Sequence, residues 1–139
     1  MKENTQNLYD FLITHSIEIT ESWLGLRFTK TGSHYSADAS TEVAERIKKQ
    51  NITYVRVIAD SLLQSEEEMK KSVLDWTSQT AIDRANSDTS LSDVAEQLRY
   101  FRRVYWQYIE KFMETSLGDV TIKQWFQWES TINMTFDFI

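Results

Sequence analysis

The chain has 139 residues and a formal net charge of −6. That length supports one domain with a real core, and the acidic balance argues against a phosphate-rich partner such as nucleic acid. Cysteine is absent, which excludes disulfides, thiolate metal centres and a cysteine nucleophile.

Proline is also absent and glycine occurs only three times. Few rigid turns and long unbroken elements favour helices over a many-turned β fold. Residues 7–27 read as one or two helices, with Leu8, Phe11, Leu12, Ile17 and Trp23 near helical spacing and Asn4 or Thr5 as cap. Residues 29–40 form a loop rich in Thr, Ser and Gly. Ser40 or Thr41 then caps a helix to about Gln64, with Val43, Ile47, Asn51, Tyr54, Val55, Ile58 and Leu62 facing inward. Ser65 and Glu68 have the spacing of a capping box. The helix they open runs to about Asn86 and places Met69, Val73, Trp76, Thr77, Thr80 and Ala81 on one side. Residues 88–92 break the chain and cap a central helix over 91–117, which Gly118 ends. Its inner face is Leu91, Val94, Leu98, Phe101, Tyr105, Ile109 and Phe112. Asp119 or Thr121 starts a last helix carrying Trp125, Phe126, Ile132, Phe136 and Ile139. It reaches the last residue with no closing signal, as a helix leading into an output domain would.

Five to six helices and one long loop fit a single all-α domain over 1–139, packed like a globin around a central pocket. No stretch approaches 18 apolar residues and the first residues lack a signal-like apolar run, so no membrane span is expected. This is compatible with a cytoplasmic protein.

Haem is the first chemistry to test against such a fold. Haem iron in a globin needs an axial histidine. His15 lies within the first helical region and His34 in the polar loop, neither where a proximal ligand belongs, so no haem is expected. Glu66, Glu67 and Glu68 suit a helix start and its dipole better than a metal. Ser33, His34 and Asp38 supply the residue types of a triad, but in one loop without a nucleophile elbow. No P-loop and no GxGxxG motif occurs. No catalytic or metal residue is assigned, and the chain is not expected to be an enzyme.

The polar residues on inward faces say more. Buried polar groups are costly unless paired. Arg102 either snorkels to solvent or pairs with Asp83 or Asp93, or it lines a polar end of an apolar pocket. On the second reading Val55, Ile58, Val73, Trp76, Leu98 and Phe101 line an acyl tube. Arg102, Tyr105, Asn51 and Tyr54 then hold a carboxylate or a halide such as chloride. The aromatic residues Trp106, Tyr108, Trp125, Trp128, Phe136 and Phe138 exceed what one small core hides. This predicts a homodimer through the central and last helices.

The opening Leu8-Tyr9-x-Phe11-Leu12, Trp23 fourteen residues after Tyr9, the aromatic and arginine-rich central helix and the closing Trp128-Glu129 together carry a resemblance. The chain resembles the non-haem globin sensor domains of bacilli, found at the N-terminus of RsbR-type stressosome proteins and of certain sporulation sensor histidine kinases. Within that family it resembles the plasmid-encoded, sporulation-inhibitory branch of the anthrax bacillus. The resemblance implies a haem-free globin that binds a fatty acid and halide ions. It also implies inhibition of sporulation by titrating the signal of a sporulation sensor histidine kinase. The alternative is a mixed dimer with that kinase's sensor domain, with no ligand needed. An esterase or acyl-handling activity is disfavoured by the missing nucleophile.

Overall fold

The computed structural model describes residues 2–24, 40–85, 91–115 and 120–138. Among these the fold is all-α: α1 (Lys2–Thr14), α2 (Ser16–Leu24), α3 (Thr41–Asp60), α4 (Glu66–Ala85), α5 (Leu91–Thr115) and α6 (Ile122–Phe138). Gly118, His34 and the expected loop over 29–39 lie outside the described residues, as do residues 86–90.

The first helical region is two helices in near-continuous register. His15 is the one-residue joint, where the His15 amide still donates to Phe11 O and the Ile19 amide to His15 O. The inner stripe of Leu8, Leu12, Ser16, Ile19 and Trp23 runs on through the joint at steps of three and four residues, which leaves Ile17 on the opposite side. Leu8, Leu12, Ile19 and Trp23 are buried, whereas Ile17, expected inside, is 51% exposed. The helix also begins earlier than Asn4 or Thr5 would set it as caps. Both residues lie inside α1 and their side chains reach α6 instead: Asn4 Nδ2 donates to Gln124 Oε1 at 3.2 Å, and Trp128 Nε1 donates to Thr5 Oγ1 at 3.0 Å.

The caps at α3, α4 and α6 form as spaced in the sequence. Ser40 Oγ accepts from the Val43 amide. Ser65 and Glu68 exchange two bonds, Ser65 N to Glu68 Oε1 at 3.0 Å and Glu68 N to Ser65 Oγ at 3.2 Å. These bonds hold the Glu68 carboxyl below its usual range. Thr121 and Gln124 form the same box at the start of α6. The helix α3 stops four residues before Gln64. Three successive i to i−3 bonds, from Ser61, Leu62 and Leu63, tighten the chain out of it, and Ser61 Oγ donates to Ile58 O.

Cross-contacts fix the helix directions. Trp23 meets Gln97 and Phe101, while Phe11 meets Phe112, so α1–α2 runs antiparallel to α5. Tyr9 meets Asp60 and Glu21 meets Lys48, so α1–α2 also runs antiparallel to α3. Hence α3 and α5 run parallel to each other. Arg46 pairs with Asp83, and Gln64 bonds Ser72, which makes α4 antiparallel to α3. The last helix packs on α3 and α4 and reaches α5 through Trp106–Trp125 and Phe112–Trp128 ring contacts. A globin-like core results, with α3 and α5 as its central walls.

Two expected faces shift. On α5, Phe101, Tyr105, Ile109 and Phe112 are buried as expected, but in its first half Gln97 is buried while Val94 and Leu98 are only partly so. Gln97 lies one turn before Phe101 on the buried stripe, and its backbone carbonyl accepts from the Trp23 indole N–H. On α6 the buried line is Trp128, Ile132 and Phe136, four residues apart, and Phe126 falls on the opposite side at 61% exposure. Ala81 of α4 is likewise exposed.

Candidate functional site

The centre of the molecule is a layer of aromatic rings contributed by four helices. Tyr54 of α3 is its middle plate. Trp76 of α4 stacks on one side of it at 4.2 Å between centroids and 17°, and Phe101 of α5 on the other at 4.7 Å and 18°. Phe136 of α6 meets Tyr54 edge-on at 6.1 Å and Tyr105 at 5.6 Å. Offset stacks and edge contacts of this kind add about 0.5–1.5 kcal/mol per pair beyond area burial. Helical periodicity explains the layer: Tyr54 and Val55, one turn from Ile58, fall on the inner stripe of α3, as Phe101 and Tyr105 do on α5.

The phenols in this layer are enclosed. Burial raises Tyr54 far above the ordinary tyrosine range, with Arg102 pulling weakly the other way. Burial likewise raises Tyr105, reinforced by Tyr54 and Asp60. Tyr105 Oη donates to Val55 O at 3.3 Å. Trp76 Nε1 donates to Gln50 O at 2.9 Å.

The residues expected to line an acyl tube are all placed at or near this layer. Val55, Ile58 and Phe101 are wholly buried, Val73 and Trp76 nearly so, and Leu98 packs from the rim. Trp76 and Phe101 are in stacking contact with Tyr54, so a chain threading between them would have to replace ring–ring contacts. Of the four expected head-group residues, Tyr54 and Tyr105 belong to the layer. Asn51 is buried one turn earlier on α3, and its amide N–H₂ donates back to Ile47 O at 2.9 Å.

Arg102 is half-exposed and engaged. Nη1 donates to Asp137 Oδ1 at 3.0 Å and Nη2 to Asn133 Oδ1 at 2.7 Å. Its guanidinium lies over Phe136 at 5.1 Å. Its partner is therefore neither Asp83, which pairs with Arg46 at 2.8 Å, nor Asp93, but a residue in the last turn of α6. The sequence could not indicate this pairing because its two members lie 35 residues apart and meet only through the packing of α5 on α6.

The aromatic surplus is largely absorbed within one chain. Tyr108, Trp128 and Phe136 are buried. Trp106 and Trp125 cover each other edge-on at 5.8 Å. Phe138 is partly covered by Lys70 at 5.8 Å. Large apolar residues exposed among the described residues include Ile17, Leu63, Leu74 and Ile82 on other helices and turns, and on α6 Ile122, 76% exposed, and Phe126. Ile122 and Phe126 line an open groove with Leu62, Lys123, Gln127 and Thr131.

His15 is occupied locally. Nδ1 sits 2.8 Å from Phe11 O, and the ring lies 4.2 Å from that of Phe11. Among the described residues no group of three His, Asp or Glu could hold a metal ion. None of the described helices is long and apolar enough to cross a membrane.

Sequence reasoning missed Gln97. It is 1% exposed, and neither its Oε1 nor its Nε2 has a hydrogen-bond partner among the described residues. The hydroxyls of Thr77 and Thr80 on α4 are in the same state. The signal that could have found Gln97 is its place one turn before Phe101, four residues along the buried stripe.

Comparison with known proteins identifies relatives in one group. No family model matches the chain, and no solved structure matches it. The chain is 28% identical over 128 residues to the RsbT co-antagonist protein RsbRD of Bacillus subtilis, covering 92% of this chain and 45% of that protein. It is 25% identical over 138 residues to the RsbT co-antagonist protein RsbRB of the same organism, covering 99% of this chain and 50% of that one. The chain thus spans about half the length of the curated relatives it matches, and what it is similar to is one portion of RsbR-type signalling proteins.

Proposed function

We propose that this chain is a haem-free, non-enzymatic sensor domain that receives a signal by binding a fatty acid in its core. The observation that carries the reading is the similarity of nearly the whole chain to a portion of two RsbT co-antagonists. A layer of aromatic rings bordered by one guanidinium adds to it. An acyl chain along Val55, Ile58, Trp76 and Phe101 gains roughly 0.8 kcal/mol per buried CH₂, offset in part by the ring–ring contacts it displaces. Its carboxylate, or a chloride ion, is taken by Arg102 in exchange for Asp137. That exchange is chemically even, since one carboxylate replaces another in a charge-assisted pair, and it releases the last turn of α6. Binding in the core is thereby coupled to the helix that closes it. On this reading the chain acts in the cytoplasm and inhibits sporulation by withdrawing fatty acid from a sporulation sensor histidine kinase, as the resemblance to the sporulation-inhibitory branch suggests.

Mass spectrometry of lipid extracted from the purified protein tests the proposal. A fatty acid present near one equivalent supports it. Lipid-free protein that also fails to bind added octanoate by calorimetry removes it. A protein that takes up haemin with a Soret shift typical of axial histidine removes the haem-free part alone.

A second reading is favoured by the exposed Ile122 and Phe126. The groove they line on α6 suits a homodimer, or a mixed dimer with a kinase sensor domain that needs no ligand. Phe126→Glu probes it, because Trp128 is committed to the core of its own chain. Sedimentation that shows a monomer at micromolar concentration before any substitution is made removes this reading.

A further inference from the structure

The aromatic layer has a second polar border, away from Arg102. One helical turn from the stacked rings, toward the N-terminus of α3 and α5 and the C-terminus of α4, stand Asn51, Gln97 and Thr80. The three helices bring them to one level, because α3 and α5 run parallel past the layer and α4 runs antiparallel. Phe101 lies four residues after Gln97, Val55 four after Asn51, and Trp76 four before Thr80. Trp23 covers this level from α2, with its indole bonded to Gln97 O at 3.0 Å and its ring 6.0 Å from that of Phe101.

The hydrogen bonding at this level is incomplete. Asn51 bonds its own helix, but the Gln97 carboxamide has no partner at either atom, and Thr80 and Thr77 have none at their hydroxyls, among the described residues. Leaving such groups unpaired costs about 1–3 kcal/mol each, and native interiors pair the great majority of them. Arg102 at the other border already has two partners, whereas the Gln97 carboxamide has none among the described residues.

We propose that Gln97 is a second ligand-binding residue, at the opposite border of the aromatic layer from Arg102. The ligand it takes is an uncharged head group that presents a donor and an acceptor side by side, a primary amide or a protonated carboxylic acid. The carboxamide fixes that chemistry. Its N–H₂ donates to the ligand carbonyl while its C=O accepts from the ligand N–H or O–H, closing a ring of two bonds. An anion satisfies only the N–H₂ and faces the Gln97 oxygen with like polarity. Thr80 is the further hydroxyl of this level, and Thr77, beside Trp76, lies at the edge of the rings. The site rests on the reading of the aromatic layer as a ligand wall.

The test is calorimetry at neutral pH with octanamide, octanoate and octan-1-ol, on wild type and on Gln97→Leu. The result expected is octanamide binding that weakens roughly tenfold or more in the variant, while octan-1-ol changes little. Circular dichroism checks that the variant is folded. Gln97→Met, which keeps the length of the side chain, replaces it if Leu is not tolerated. Unchanged octanamide affinity in a folded variant overturns the proposal, as does an equal loss for octan-1-ol. A variant that gains thermal stability without losing any ligand overturns it too, leaving the level to water. Wild type that binds octanoate but not octanamide defeats this inference alone. Wild type that binds none of the three defeats the sensor reading as well.

Discussion

The two ends of α6 are held by opposite kinds of interaction. At its start, Gln124 and Trp128 are buried and tied to α1 by neutral hydrogen bonds from or to Asn4 and Thr5. At its end, Asp137 holds Arg102 in a pair whose side chains are 70% and 36% exposed. Neutral bonds in an apolar setting are lost only with the packing around them, and the unpaired group that remains is costly. An exposed ion pair is worth about 0–1 kcal/mol and weakens in salt. The helix is therefore anchored at one end and fastened by an exchangeable pair at the other, the asymmetry that the proposed exchange of Asp137 for a ligand carboxylate requires.

The comparison breaks most directly at Trp128. Trp128→Ala removes a buried ring that meets Phe112 edge-on and should cost about 3–5 kcal/mol in urea denaturation. A loss under about 1 kcal/mol would show that the start of α6 is no anchor.

Alkaline titration sharpens the picture at the other end, where Phe136 covers Tyr54 and Tyr105. Both phenols have raised pKa values in the folded protein. Their contribution to stability is complete below the unfolded tyrosine value of about 10 and falls as pH rises beyond it, at up to about 1.4 kcal/mol per pH unit for each. Denaturation midpoints followed from pH 9 upward, with tyrosinate absorbance, give the check. Ionisation of both tyrosines near pH 10 without unfolding would mean that the end of α6 opens by itself.

Thr5→Val comes next in size. It leaves the Trp128 indole N–H unpaired in a buried place, with an expected cost of about 1–3 kcal/mol. Asp137→Asn comes last. It should change stability by no more than about 1 kcal/mol, yet tighten octanoate binding because Arg102 no longer has a competing carboxylate. The complementary Arg102→Leu should weaken octanoate by about 1.5–3 kcal/mol if its charge-assisted bond carries the head group. Calorimetry with octanoate reads both, and unchanged affinity in both places the anion elsewhere.

Much of the fold was legible because it rests on local rules. The capping box at Ser65, Ser40 as one of two candidate caps, Thr121 as one of two candidate starts and the inner stripe of α3 each depend on residues within one or two turns. The misreadings share a different cause. Asn4 and Thr5 have cap-like chemistry but serve partners more than 100 residues away. Ile17 faces outward because the stripe of Leu8, Leu12, Ser16, Ile19 and Trp23 runs unbroken through the His15 joint and Ile17 lies opposite it. Gln97 is polar and so does not stand out beside Leu98, although it lies on the buried stripe one turn before Phe101. In the site, the rings of the layer could be named from periodicity alone. The engagement of Arg102 could not, since Asp137 and Asn133 meet it only in three dimensions.

The bonds between α1 and α6 also bear on when the domain can form during synthesis. Asn4 and Gln124 are separated by 120 residues, Thr5 and Trp128 by 123. At translation rates of about 5–20 residues per second, the first helix waits roughly 6–25 s for its last partners. Until then Leu8 and Leu12 can lie against α3 and α5, but the side of α1 that carries Asn4 and Thr5 has nothing to close it. The nascent domain thus carries an unfinished core until α6 has been made, and in that interval exposed apolar surface on α1 is open to other partners.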